Sequence, residues 1–244
     1  MESRPDFPYY DGRPVAVEAK GWLFLLGSVA VAFVALTMIP LRAFPVNIMP
    51  ALLFVAIPLI ALRLVTGGNW AALFGKVGLR EVALMVVFAL LTIIVSFAVA
   101  LGLSQVMAFT ENPVSESMRA MSGALFVWIL AVTIPQLVGE ELLAILPFLA
   151  VLWFCVTRLG MPRRIGIAIA LLLSSLLFGA AHLPTYGWNW TQSLVVIGGA
   201  RMVLTLAYIA SRNLWVSAGA HILNDWVGFI LTYEFGHAPI ATVE

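Results

Sequence analysis

Seven apolar runs, each long enough to cross a bilayer, constrain this chain more than any other feature. They lie at 21–40, 47–66, 81–104, 121–157, 164–184, 192–212 and 214–233. The hydrocarbon layer is about 30 Å thick and a helix rises about 1.5 Å per residue, so a span needs roughly 20 apolar residues. Lipid offers backbone N–H and C=O groups no partners. Helices satisfy those groups internally, and the runs are too long for barrel strands. Of 244 residues, 62% are hydrophobic and 10% charged, where an average soluble domain has about a quarter charged. The sequence therefore predicts an all-α, polytopic membrane helix bundle with the lipid bilayer as its solvent. A net charge of +1 gives no reason to expect a nucleic-acid partner. The single cysteine, Cys155, excludes an internal disulfide.

The basic residues test the count of spans independently. With the N-terminus inside and seven crossings, Arg4, Arg13, Lys20, Arg63, Lys76, Arg80, Arg158, Arg163, Arg164 and Arg212 fall at the cytoplasmic side. Arg42 and Arg119 fall outside, and Arg201 lies within a span. Ten against two is a strong positive-inside bias. Residues 1–20 then form a cytoplasmic tail, 21–233 a single membrane domain, and 234–244 a C-terminal tail across the membrane. No small-residue cleavage site follows the first run, which is expected to be a retained span. The segment 66–83 spaces charges through apolar residues and is expected at the interface. The run 121–157 would be about 55 Å long as one helix. Pro135 and Pro147 offer kinks there, an interfacial or membrane-folded course for part of 118–137 is open, and splitting the run gives an alternative of eight spans.

Among the ionisable residues inside the runs, six stand out: Glu140, Glu141, His182, Arg201, His221 and Asp225. Such residues cost a few kcal/mol at membrane depth and by default mark a functional site. They come from the last four runs and are expected to converge on one polar site. His221 and Asp225 are four apart and share a helix face, as do Phe178 and His182. Glu140 and Glu141 are adjacent, about 100° apart around their helix. One can face a reaction centre while the other braces the structure. A carboxylate with two histidines and a second acid suits water activation, with one group taking a proton and others stabilising an oxyanion. Such a set also binds divalent metals. The bland readings are helix-bridging hydrogen bonds for the histidines, pairing of the glutamates with Arg201, and satisfaction of Asp225 by Asn224 or Arg212. Gly198, Gly199, Gly219 and Gly228 read as close-packing positions between helices.

The ordered set EE (140–141), FGAAH (178–182) and HILND (221–225) resembles the CAAX protease and bacteriocin-processing family of intramembrane proteases, also called the ABI family. The family pattern is EExxxR, then FxxxH, then HxxxN or HxxxD, and the resemblance covers about residues 120–233. It implies that Glu140, with His182, activates water. It implies that His221 and Asp225 stabilise the oxyanion or complete a metal site, and that Glu141 braces the centre. A divalent metal such as zinc on His182, His221, Glu140 and Asp225, and a metal-free glutamate mechanism, are both compatible with it. The chain departs from the pattern twice. Position 145 is Ile where the motif has Arg, which leaves Arg201 as the candidate partner of Glu141, and Asp225 stands where many members have Asn. An ionised Asp225 would repel an oxyanion, so it is expected to be neutral, to orient His221 or to help bind a metal.

The expected function is therefore an intramembrane endopeptidase that hydrolyses a peptide bond in a membrane-associated protein or peptide. The alternatives are a catalytically silent scaffold or regulator and, ranking lower, a small proton-coupled transporter. Short loops and the lack of an organelle signal suit a bacterial inner membrane; these features carry no reading of oligomeric state. One geometric tension accompanies this picture. His182 falls near the outer end of its helix, while His221 falls about 10 Å in from the opposite side.

Overall fold

A computed structural model describes residues 6–41 and 43–237. Arg4, Arg42 and the tail from residue 238 lie outside the described residues. The described residues form eight α-helices: α1 (Ala19–Met38), α2 (Ile48–Thr66), α3 (Leu79–Leu103), α4 (Pro113–Met118), α5 (Gly123–Trp153), α6 (Arg163–Ala181), α7 (Gly198–Ser211) and α8 (Leu214–His237). Among the described residues there is no strand. All except α4 are long and apolar enough to cross a membrane, so there are seven candidate spans. The bundle is all-helical and polytopic.

The helix ends follow local chemistry. Asn112 caps α4 by accepting from the Val114 N–H at 2.9 Å, with Pro113 in the first turn where its missing N–H costs nothing. Ser122 is the N-cap of α5. Arg212, at φ 53°, closes α7 in the left-handed region. Asn213 then starts α8, accepting from the Trp215 N–H at 3.1 Å. The same side chain accepts from the Gly75 N–H (2.8 Å) and donates to the Lys76 carbonyl (3.1 Å). That ties the α7–α8 corner to the segment between α2 and α3.

The run 121–157 is one helix, not two. Helix α5 passes through both Pro135 and Pro147 and ends in a π turn over Phe154–Arg158, so the eight-span alternative does not hold. From Leu137 to Ala150 every residue is buried. This half of α5 is the axis of the bundle, packed against α1, α2, α6, α7 and α8. The N-terminal half is largely exposed and leans on the end of α8, where Phe126 stacks on Tyr233 at 4.1 Å. A helix longer than the hydrocarbon layer accommodates by tilting.

Residues 67–83 contain a 3-10 turn (Gly67–Leu73), a short link and the start of α3. Residues 6–18 pack onto the same end of the bundle. Phe7 stacks on Tyr208 (5.9 Å between centroids) and meets Phe148 edge-on (5.6 Å). Tyr9 donates to the Asn69 carbonyl at 2.8 Å, and Thr157 donates to the Tyr10 carbonyl at 2.8 Å. Arg163 pairs with Asp6. Burial works to raise the Asp6 pKa, but hydrogen bonds from Arg163, Tyr10 and the Phe7 N–H hold it below its ordinary value of 3.8. Arg13, Lys20, Arg63, Lys76, Arg80, Arg158, Arg163, Arg164 and Arg212 all lie at or beside this end. Arg119, paired with Glu111, lies at the other.

Candidate functional site

Between α3, α5, α6, α7 and α8 lies a cavity of about 460 Å³. Helix α5 supplies Gln136 and Glu140 to its wall, one turn apart on one face. Gln136 Nε2 donates to Glu140 Oε1 at 3.1 Å, which fixes that carboxylate's direction. Glu141, about 100° further round, points away from the cavity into the core and is fully buried.

Arg201 of α7 meets Glu141 there. Its two terminal nitrogens donate to Glu141 Oε1 at 2.5 Å and Oε2 at 3.1 Å, a bidentate pair with both side chains wholly inaccessible. Arg201 Nε donates to Thr205 Oγ1 at 3.3 Å, and the guanidinium lies 5.3 Å over the Phe178 ring. Position 145, where the motif has Arg, is a fully buried Ile in the apolar core. The cation of the motif is thus supplied from another helix.

Glu141 Oε1 has a second partner, His221 Nδ1, at 2.9 Å. A carboxylate flanked by a guanidinium only accepts, so Nδ1 carries the hydrogen and Nε2 is turned to the cavity. There Nε2 stands 3.8 Å from Glu140 Oε2 and 3.8 Å from Asp225 Oδ1. Asp225 Oδ1 also accepts from Asn224 Nδ2 at 2.8 Å. Arg212, the other cation considered for Asp225, lies over the Phe7 ring at the opposite end of the bundle.

His182 caps the C-terminus of α6 and lines the same cavity. Its Nδ1 faces the Phe178 carbonyl at 2.9 Å, which directs the free nitrogen, Nε2, away from its own helix. The Phe178 ring lies 4.6 Å from the His182 ring and 6.2 Å from the His221 ring, so it separates and orients both. No ion pair joins His182 to Glu140; His221 is the histidine that approaches Glu140. The expected tension between the depths of His182 and His221 is relieved because α6 stops at Ala181. Leu183 and Tyr186 of the following loop are buried, so the loop occupies the remaining depth.

All seven residues singled out in the sequence therefore meet. Glu140, Phe178, His182, Arg201, His221 and Asp225 line the cavity, and Glu141 lies behind it. Sequence reasoning missed Gln136, which its spacing of four from Glu140 could have flagged. It also missed Asn112 and Tyr186, which no pattern marks because they come from loops. Asn112 Nδ2 donates to the Tyr186 hydroxyl at 3.4 Å, and burial pushes the Tyr186 phenol up to about 12. Of the four glycines read as packing positions, Gly198 and Gly219 are: an added Cβ would meet Ser175 O at 3.3 Å and Met85 Sδ at 2.5 Å. Gly199 and Gly228 have open space instead, and Gly228 lines the cavity.

Residues 122–227 match the family model described as Type II CAAX prenyl endopeptidase Rce1-like. This region is Rce1-like. The family that the three motifs resemble is the one found, and the Rce1-like stretch runs from the N-cap of α5 through His221 and Asp225 of α8. No curated protein and no solved structure matches the chain.

Among the described residues no three His, Cys, Asp or Glu side chains converge as a metal-holding group. His182 and His221 nevertheless hold Nδ1 on a carbonyl and a carboxylate and keep Nε2 free, which is the orientation of metal-ligating histidines. Glu140, His182, His221 and Asp225 line one cavity and are the side chains that a divalent cation there would use.

Proposed function

We propose that this chain is an intramembrane endopeptidase that hydrolyses a peptide bond in a membrane-associated protein or peptide. The observation that carries the proposal is the His221 side chain. Its Nδ1–H is locked by the buried Glu141–Arg201 pair, and its Nε2 faces Glu140 and Asp225, 3.8 Å from an oxygen of each. Orientation of a histidine by a buried carboxylate is the arrangement that acyl-transfer sites use to hold an imidazole in one tautomer. The match of residues 122–227 to the Rce1-like family model supports the protease reading.

In this reading a water sits between Glu140 and the free nitrogen of His182. Glu140 removes its proton as the water oxygen bonds to the carbonyl carbon of the substrate. The electron pair moves onto the carbonyl oxygen, which accepts a hydrogen bond from Nε2–H of His221 in its imidazolium form, both of whose ring nitrogens carry hydrogen, in the space bounded by Asp225. Glu140 then returns the proton to the amide nitrogen as the C–N bond breaks, releasing an acid and an amine. Gln136 holds the Glu140 carboxylate through Oε1 and leaves Oε2 for the water. A silent scaffold is favoured by the loss of the motif Arg at Ile145, but Arg201 restores that cation and removes the reason. The distribution of Lys and Arg supports an N-terminus on the cytoplasmic side, and the short loops suit a bacterial inner membrane.

The test is the set Glu140→Gln, His182→Ala and His221→Ala, each read for loss of cleavage with the protein still present in the membrane. Residues acting as a unit fail together, so double variants should be no worse than single ones. Membrane polypeptides that accumulate uncut in the Glu140→Gln strain identify the substrate. Near-full activity in all three variants would end the protease reading.

A further inference from the structure

A second cavity, of about 620 Å³, shares no lining residue with the site. It is a groove between the first turns of α1, the C-terminal end of α5 and α6. Helices α1 and α6 both pack on α5, and the groove separates them. Trp22, Ala150 and Cys155 are buried and form its floor. Leu23 (70% exposed) and Leu173 (47% exposed) stand at its edges, so it opens sideways on the surface of the spans, where lipid stands. The π turn over Phe154–Arg158 brings Phe154, Cys155 and Arg158 onto it together, and such turns are frequent at functional sites.

Length and charge say what fills it. Helix α6 begins at Arg163, and Leu173, its last residue in the groove, lies about 15 Å further on. The hydrocarbon layer is about 30 Å thick. The groove is therefore one leaflet deep, which suits an acyl chain and is half of what a transmembrane helix needs. Arg158 is the one charged side chain in its lining, which holds no Asp or Glu. The guanidinium lies 5.1 Å over the Trp153 ring and has no ion pair among the described residues. Lys20, exposed beside Ala19, adds a second cation at that level; exposed Glu18, the N-cap of α1, lies outside the lining. Trp22 also lines the groove, and its buried indole N–H has no hydrogen-bond partner among the described residues. Such a donor is costly unless a bound group completes it.

We infer that this groove binds an anionic phospholipid from the leaflet at the basic end, with its phosphodiester on Arg158 and an acyl chain between Trp22 of α1 and Leu173 of α6. The apolar walls accept any acyl chain, and the guanidinium selects the head group, since it donates well to phosphate oxygens. Basic positions beside spans draw anionic lipids for the same reason. A lipid seated there bridges α1 to α6. The inference is independent of the protease reading.

The full-length protein in detergent is titrated with phosphatidylglycerol or with phosphatidylcholine of the same acyl chains. Native mass spectrometry reads binding, and melting temperature reads the bridge. The parent should retain phosphatidylglycerol in preference and melt higher with it. Arg158→Gln should weaken phosphatidylglycerol binding by about fivefold, the effect of one basic side chain beside an anionic head group, and leave phosphatidylcholine unchanged. Leu173→Trp, which fills the groove from its exposed edge, should weaken both. Arg164→Gln, exposed at the same end but outside the lining, should behave as the parent. Glycerol phosphate should not displace the lipid, because a head group alone leaves the groove empty. Equal binding of the two lipids to the parent, an Arg158→Gln protein that keeps the preference, or displacement by glycerol phosphate would overturn the inference. So would a dimer that Leu173→Trp abolishes, which would make the groove a contact between copies. Arg158 is exposed, so its variant decides the matter even where Leu173→Trp fails to accumulate.

Discussion

Arg201 binds Glu141 from sixty residues further along the chain, at 2.5 and 3.1 Å, with neither side chain reachable by solvent. The pair neutralises two charges that lipid would not tolerate singly. Through Oε1, Glu141 also holds His221 Nδ1. One buried ion pair therefore links α5 and α7 and fixes the imidazole of α8 at the cavity.

Arg201→Ala should destabilise the protein by about 3–5 kcal/mol, because it leaves a buried carboxylate without its cation. Ile145→Arg alone should also destabilise, since Ile145 is fully buried in the apolar core. In the Arg201→Ala background, however, an arginine at 145 stands one turn from Glu141 and should recover part of the loss. Melting temperatures in detergent of the four proteins read the cycle, and an unchanged value for Arg201→Ala would refute the bracing role.

Gly228→Leu should block the passage without disturbing the fold. A Cβ at Gly228 meets nothing within 4 Å, and the residue lines the cavity between Asp225 and Thr232. Cleavage should fall by about tenfold or more, since small misplacements of a substrate cost that much, while the melting temperature stays close to that of the parent. Gly199→Leu, which also adds a side chain into open space but does not line the cavity, is the control.

Asp6 gives the fold an acid-sensitive clamp. Its folded-state pKa lies below the unfolded value of 3.8, so the ionised carboxylate stabilises the protein above about pH 4. That contribution is lost as pH falls from the unfolded value through the folded one. Asp6→Asn should lower the melting temperature at pH 7 and flatten its fall on acidification. Equal slopes for parent and variant below pH 4 would show that the Arg163 pairing does not contribute.

The spans were legible because each run of apolar residues must satisfy its own backbone in lipid. Their observed ends fall close to the runs read from the sequence, from Ala19–Met38 to Leu214–His237. The site residues were legible for a related reason: an ionisable side chain in an apolar run is too costly to be there by accident. Glu140, Glu141, His182, Arg201, His221 and Asp225 were all visible on that ground.

Partnership was not visible. Sequence spacing reports neighbours along one helix, such as Gln136 with Glu140 or His221 with Asp225, but not contacts across helices. That His221 and not His182 approaches Glu140 depends on how deep α6 ends and on the Phe178 ring between the two histidines. The unbroken course of α5 through Pro135 and Pro147 was likewise undecided until its C-terminal half was seen to be surrounded by other helices. The sequence alone determined which segments cross the membrane and which polar groups must meet inside it. Tertiary packing decided which of them touch and which of them face the cavity, because those depend on helix depth and rotation, which lipid leaves free and only neighbouring helices fix.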